Sequence, residues 1–392
     1  MVFLVHYNEL GLKGKNRVHF EQILQQRIFD SLTGINAKVS RLHGRIIVRN
    51  FADEHIEEIK QRLEKVFGIA FFAIAAELEP DFIKIANYAQ ALFKEDDINF
   101  CVRVKRANKR LPFSSVEAER EIGGLLYDSI NLPVKLKNTD HTIYVEFYEE
   151  VAWVYSSKER IAGPGGLPVG SSPKVVCLIS GGIDSPVASW LISKRGAKVI
   201  YVHFSSFPST DLSSLEKTEQ TIEVLANWHG PAKLYMLPFI KVQEEIIAKC
   251  PERLRTILYR RFMMRIAEKI AERENAKALV TGDALAQVAS QTMENMATIS
   301  QAVDALILRP LVAMDKDEVI DLAKKIETYE ISILPQEDSC SYLLPASPAT
   351  RSKAEKLIEV EKKLDVDALV EMAYKGKQLI RLEPNQIKNY SN

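Results

Sequence analysis

The stretch Val175-Val176-Cys177-Leu178-Ile179-Ser180-Gly181-Gly182-Ile183-Asp184-Ser185-Pro186-Val187-Ala188 decides how this chain folds. Val175 to Ile179 form an apolar run that reads as a buried strand, and the pattern from Pro186 through Trp190 and Leu191 reads as a helix. Ser180 to Ser185 make the turn between them. Gly181 and Gly182 permit a tight backbone whose N–H groups face an anion, and the helix offers the positive end of its dipole to the same charge. Asp184 then stands at the edge of that anion. The chain has no GxxxxGK[ST], so this is not a Walker loop.

SGGxDS after a strand and before a helix is the pyrophosphate loop of enzymes that split ATP between its α and β phosphates. Further apolar runs follow at 198–204, 233–238, 278–282 and 305–309, each separated by helical patterns. That alternation predicts an α/β unit with a doubly wound parallel sheet and a ligand at the carboxyl ends of its strands. His203 and Phe204 end one strand, where they hold adenine or simply terminate the strand. Arg260, in Tyr259-Arg260-Arg261-Phe262, is placed to reach a phosphate or the base, or is a surface charge. Gln287, Ser290 and Gln291 are polar within an apolar stretch after Thr281-Gly282-Asp283, which points to hydrogen bonding with a ligand. Lys316 offers a compact positive charge for a phosphate transition state, or is a solvated helix residue.

A length of 392 residues suits two or three domains. The balance of 52 Lys+Arg against 52 Asp+Glu means that any nucleic-acid surface arises from local clustering. No run is long and apolar enough for a membrane helix and the chain opens directly into VFLVHY, so a cytoplasmic protein is expected. Cys101, Cys177, Cys250 and Cys340 lack CxxC spacing, which argues against a disulfide scaffold or a structural zinc site. Cys340 lies in a polar Glu337–Tyr342 segment and is the best candidate for a reactive thiol.

Residues 1–75 read as βαββαβ, the split ferredoxin-like order, and 76–160 as a second small α+β unit whose helix from Val116 is capped near Ser114 and Ser115. The Gly/Pro/Ser-rich 161–173 reads as a linker, and 174–392 as the nucleotide unit closed by a solvated helical tail. Arg103, Lys105, Arg106, Lys109 and Arg110 cluster in the second unit and suit a phosphate backbone, or are a solvated loop; Lys13 and Lys15 extend the same basic surface.

Taken together, GLKGKNRVHFEQIL, RVKRANKRLPFSSVEAEREIGG, LISGGIDSPVASW, YVHFSSFPST, YRRFMMRIAEKIA, TGDALAQVASQT, RPLVAMDKDEVI and EDSC resemble the tRNA 4-thiouridine synthetase (ThiI, tRNA sulfurtransferase) family over nearly the whole chain. The resemblance implies a ferredoxin-like domain, a THUMP domain that binds tRNA, and an adenylating PP-loop domain. It puts ATP contacts on Leu178, Ile179, His203, Phe204, Arg260, Gly282 and Gln291, alongside the loop residues Ser180, Gly181, Gly182 and Ser185. Asp184 and Lys316 match adenylation positions, and Cys340 matches the persulfide-handling cysteine. ATP with Mg²⁺, tRNA, a cysteine desulfurase as sulfur donor and a homodimer are implied partners. The implied activity is 4-thiouridine formation at position 8 of tRNA, with a thiamine-thiazole sulfur role or a catalytically silent tRNA-binding protein as alternatives. Ala284 and Ala286 stand where Ser and Gly are associated with this segment. The chain ends at Asn392 without the rhodanese-like extension of some members, so a short form is expected.

Overall fold

The computed structural model describes all residues except 43, 108–110, 149, 207–212, 335–344, 346 and 385–392. It divides into two compact units, Met1–Leu167 and Pro168–Asn392.

The first unit runs β1 (Val2–His6), α1 (Arg17–Ser31), β2 (Lys38–Leu42), β3 (Arg45–Arg49), α2 (Ile56–Leu63) and β4 (Phe71–Leu78). It continues α3 (Phe82–Gln90), β5 (Phe100–Arg106), α4 (Ser115–Ile130), β6 (His141–Phe147), β7 (Ala152–Ser156) and β8 (Arg160–Ala162). Strand alternation explains its cores. Phe3 and Val5 face Leu24 and Ile28 of α1 and Ile59 and Leu63 of α2, whereas Val2 and Leu4 face a helix-free core with Trp153 and Tyr155. Helices α3 and α4 cover Val102, Ile143 and Val145. As expected, α4 is capped at Ser114, whose Oγ accepts from Glu117 N at 3.1 Å while Glu117 Oε2 accepts from Ser114 N at 2.6 Å.

Two expectations change here. The ferredoxin-like and second α+β segments share one eight-stranded sheet, ordered β2-β3-β1-β4-β7-β6-β5 with β8 also on β4. The joint is β4 itself: Val2 to His6 pair with Phe71 to Ala75, and Ala76 to Leu78 pair with β7, a strand the hydrophobic pattern did not single out. The 161–173 segment is also not a free linker. Ile161 and Ala162 pair with Phe72 and Phe71, and Leu167 is buried in the α1/α2 core. A Cβ at Gly163 would stand 2.4 Å from the Ile69 carbonyl oxygen, so this glycine serves close backbone approach rather than flexibility.

The second unit holds β9 (Leu167–Leu178) from its second residue, Pro168, onward, then α5 (Asp184–Ser193), β10 (Arg195–Ser205), α6 (Ser213–His229), β11 (Ala232–Pro238), α7 (Ile240–Lys249), α8 (Arg255–Glu274) and β12 (Ala278–Val280). Then come α9 (Met293–Ser300), β13 (Leu306–Leu308), α10 (Lys316–Lys325), α11 (Tyr329–Ser332), α12 (Ala354–Glu361), α13 (Val366–Lys375) and β14 (Gln378–Leu382). The sheet order is β13-β12-β9-β10-β11-β14. The chain winds outward from β9 to β11, then returns to β12 on the other side, which makes the β9/β12 boundary the switch point where such sheets bind ligands. The tail is a correction: Leu357, Val360, Val370 and Ala373 belong to the main core, and β14 pairs antiparallel with β11. Its charges misled because Glu361, among them, is buried against Arg261 and Arg265.

Candidate active site

At the end of β9 the backbone turns through Ser180 to Ile183 and enters α5 at Asp184. Ser185 closes the loop: its Oγ accepts from Ser180 N at 3.0 Å and lies 3.3 Å from Ser180 Oγ, while Gly182 N donates to Ser180 Oγ at 3.4 Å. From the other side of the switch point, Gly282 presses directly on the α5 N-terminus. A Cβ there would lie 2.8 Å from Ser185 N and 2.9 Å from the Asp184 carbonyl carbon, so only glycine fits.

Two polar groups flank this contact. In the first, Lys316 Nζ is 2.6 Å from Asp184 Oδ1 and Gln287 Nε2 donates to Asp184 Oδ2 at 3.2 Å. Lys316 is held in place because it opens α10, whose N-cap Asp315 accepts from Glu318 N at 2.9 Å and donates its own N–H to Glu318 Oε2 at 3.0 Å. In the second, Asp283 accepts from Arg260 and from Thr281 Oγ1 at 2.7 Å, and pairs with Arg309 Nε at 3.3 Å. Burial works against the Asp283 carboxylate, but Arg260, the Thr281 hydroxyl and Arg309 outweigh it and hold its pKa below the ordinary value. The result is an anion loop with a lysine on one flank and two arginines on the other. Such an arrangement has the chemistry to accept a polyphosphate at a helix N-terminus and to stabilise charge that develops on it.

The other nucleotide candidates separate. His203 is buried and its Nδ1 donates to the Ile179 carbonyl at 3.1 Å, which joins β10 to the loop entrance. Phe204 is buried edge-on to Phe239, with ring centroids 5.3 Å apart, and is part of the core. Leu178 is half-buried and Ile179 buried. Gln291 is 7% exposed, and its Oε1 is buried without a hydrogen-bond partner, a feature that asks for a ligand donor. Arg260 and Arg261, adjacent in sequence, diverge: Arg261 is buried with Glu361 at 2.7 and 2.9 Å. Ala286 has φ 62°, a backbone that favours glycine, which accounts for the glycine expected there. The sequence reading placed Asp283 and Arg309 at strand ends but gave neither a role in the site, although a charged residue at the carboxyl end of a buried strand was the available signal.

Cys340, Lys109 and Arg110 lie outside the described residues. The other three cysteines are buried, and burial pushes the Cys177 thiol up to about 12 and raises that of Cys250.

In the first unit the basic residues sort by what holds them. Arg106 donates to the Leu111 and Phe113 carbonyls, and Arg103 Nη2 to the Leu136 carbonyl at 2.6 Å, so both brace local backbone. Lys105 is exposed as a residue, but desolvation of its ammonium and the Arg45 charge lower its pKa against the opposing pull of Glu146. Lys15 is exposed, and Lys13 Nζ lies 5.1 Å from the Phe20 ring. Arg17 and Arg45 are each paired with a carboxylate, Glu21 at 2.7 Å and Glu146 at 3.0 Å, which leaves Lys105 and Lys15 as the exposed cations of this group. Arg160, over the Phe71 ring at 3.9 Å, was not foreseen.

Among the described residues, no cluster of three or more His, Cys, Asp or Glu is placed to hold a metal, and no helix is long and apolar enough to cross a membrane.

Comparison with known proteins agrees with this division. Residues 2–73 match the ThiI ferredoxin-like domain, 81–157 the THUMP domain, and 170–366 the family described as thiamine biosynthesis protein (ThiI). A probable tRNA sulfurtransferase of Alkaliphilus oremlandii is 41% identical over 97% of this chain and 98% of its own length. One from Brevibacillus brevis is 43% identical over 95% and 94% respectively. A crystal structure of a 4-thiouridine synthetase–RNA complex with bound ATP superposes with TM-score 0.87 at 37% identity, covering 97% of this chain and 99% of that one. With the ferredoxin-like and THUMP segments leading into a pyrophosphate loop, the chain belongs to the tRNA sulfurtransferase (ThiI) family of enzymes.

Proposed function

We propose that this enzyme makes 4-thiouridine at position 8 of tRNA by adenylating the base. The uridine O4 attacks the α phosphate of ATP and pyrophosphate leaves, which turns a poor leaving group into AMP. The outer sulfur of a Cys340 persulfide then attacks C4 and expels AMP. A thiol reductant from outside the chain attacks Cys340 Sγ and breaks the S–S bond, so that the transferred sulfur stays on C4 and Cys340 is left in a mixed disulfide that a second thiol reduces. The same thiol attack made before transfer releases sulfide as the alternative nucleophile. Ser180, Gly181, Gly182 and Ser185 cradle the phosphates, and Lys316 leaves Asp184 to meet the charge that develops in the transition state. Leu178, Ile179, His203 and Gln291 border the nucleoside, with the orphaned Gln291 Oε1 accepting a donor from it; Phe204 supports them from the core. Arg260 reaches the phosphates from its Asp283 partner. The carrying observation is the pairing of Lys316 with Asp184 beside a glycine-lined helix N-terminus.

Asp184 is the carboxylate that would hold a Mg²⁺ accompanying ATP, which would supply further charge neutralisation there. Residues 1–75 and 76–160 hold tRNA through Lys13, Lys15, Lys105, Lys109 and Arg110, while Arg103 and Arg106, expected in the same set, brace the backbone beside them. A cysteine desulfurase supplies sulfur to a cytoplasmic homodimer. Target uridine must turn out of the tRNA fold to reach the loop. The test is to incubate protein, ATP, tRNA and a sulfide source and to analyse nucleosides by mass spectrometry. Absence of 4-thiouridine, with tRNA still bound, would leave a silent binding protein instead. A sulfur role toward thiamine thiazole is the second reading, favoured by the family's description, and thiamine dependence of a strain lacking the gene tests it.

A further inference from the structure

Asn295, in the first turn of α9, is fully buried. Its Nδ2 donates to the Ala289 carbonyl at 2.6 Å and to the Ala349 carbonyl at 2.8 Å, while its Oδ1 accepts from Ser352 N at 3.0 Å and from Ser352 Oγ at 2.6 Å. Both donors and both acceptor positions of the amide are thereby used. A leucine would fill the same space without the cost of burying an amide, so what the asparagine adds is a fixed geometry. Ala289 opens the short 3₁₀ turn Ala289–Gln291, which leads into α9 through its N-cap, Thr292. Bonds inside the loop give this turn its shape: Gln291 N donates to the Val288 carbonyl at 2.8 Å, and Ala286 N to the Gln291 carbonyl at 2.9 Å. Its position against α9 and residues 349–352 comes from Asn295, with Thr292 Oγ1 donating to the Thr350 carbonyl at 2.7 Å beside it. The side chain that this turn presents is Gln291, whose buried Oε1 has no hydrogen-bond partner among the described residues. That oxygen is an acceptor, and an ionised triphosphate has only acceptors to offer it. The donors on ATP are the adenine amino group and the ribose 2′ and 3′ hydroxyls.

We propose that Asn295 is a positioning residue for nucleotide recognition: it holds the 289–291 turn where the Gln291 amide oxygen accepts from one of these nucleoside donors. It acts through Ala289 and touches no ligand atom. The inference rests on the reading above that Gln291 borders the nucleoside. It predicts that loss of the Asn295 amide removes a selectivity as well as some stability, because the Gln291 acceptor is still present but no longer in place.

The experiment uses the full-length protein and measures equilibrium dissociation constants for ATP and for analogues that each lack a single donor: 2′-deoxyATP, 3′-deoxyATP and purine riboside triphosphate. Wild type should bind one of these about tenfold or more weakly than ATP, the scale of a buried acceptor left unpaired. In Asn295→Ala, as in Gln291→Met, the preference for ATP over that analogue should shrink to within about threefold, and the double variant should be no less selective than Gln291→Met alone. Ser352→Ala removes a hydrogen bond from the other end of the same amide and is the control: it lowers stability to denaturant but keeps the wild-type preference. An Asn295→Ala protein that keeps the preference, or a Ser352→Ala protein that loses it equally, marks a residue that only stabilises the fold and overturns the proposal. Wild-type protein that binds ATP and all the analogues alike overturns it too. Asn295→Ser, whose hydroxyl is too short to span both carbonyls, gives the same comparison if the Ala variant does not fold. Wild-type protein that binds no ATP overturns the nucleotide reading itself, a failure distinct from variants that bind ATP without selectivity.

Discussion

Lys316 and Asp184, 132 positions apart, meet at 2.6 Å beside the glycine loop, and the Asp184 carboxylate is shared with Gln287. Because the two act as one unit, their removal should be non-additive. Asp184→Ala and Lys316→Ala are each expected to lower tRNA-dependent pyrophosphate release by about a hundredfold or more, the scale of one lost transition-state contact. The double variant should be little worse than either single one. Full additivity of the two losses would show that they act separately.

Gly282 stands where a side chain would collide with the backbone of Ser185 and Asp184. Neither neighbour can yield without unwinding the start of α5, so Gly282→Ala should weaken ATP binding by about tenfold or more, or about 1.4 kcal/mol. Equilibrium nucleotide binding measures it. Gly165→Ala, with open space around it, has positive φ and serves as a control for backbone strain alone.

Glu361 accepts from both Arg261 and Arg265, and Arg261 is nearly fully buried. Deleting this carboxylate leaves a buried guanidinium without its partner. Glu361→Ala should therefore destabilise the second unit by about 3–5 kcal/mol in chemical denaturation, the range for breaking a buried pair from one side. A loss below about 1 kcal/mol, as for a surface pair, would contradict the buried assignment.

Acid sensitivity should come in two stages. Burial, with the charges of Arg45, Lys105 and Arg160, lowers the His6 pKa from 6.5 to about 2. Unfolding therefore takes up a proton there once the pH falls below 6.5, and stability declines from that point. Asp97, despite burial, is held at about 2 by Lys158, the Lys94 N–H and His141, against 3.8 unfolded, so its contribution is present above pH 3.8 and is lost as the pH falls toward 2. His6→Asn should flatten the stability profile between pH 6.5 and 4, and Asp97→Asn only below 4. Denaturation of the 1–167 unit's fluorescence across this range distinguishes them. Identical profiles for both variants would refute the assignment.

Several features were legible from local chemistry alone. The Ser180–Ser185 turn between a strand and a helix needs only glycine conformations and hydrophobic period, and the α4 cap needs only Ser114 and Glu117. Arg260 and Arg261 show the limit. Both are arginines on one helix, yet only the fold sends one to Asp283 and the other to Glu361. The Gly/Pro-rich 161–173 segment misled for a related reason, because glycine permits close packing as readily as flexibility, and composition does not say which.

By itself, then, the sequence determined the elements with strong period, the anion loop and the side chains able to do chemistry there, since each depends on residues close together in the chain. The tertiary structure alone decided that β4 joins two small folds into one sheet, that the charged tail completes a core, and that Lys316 meets Asp184. These are contacts between distant segments, fixed by burial and charge pairing in three dimensions, which local pattern does not encode.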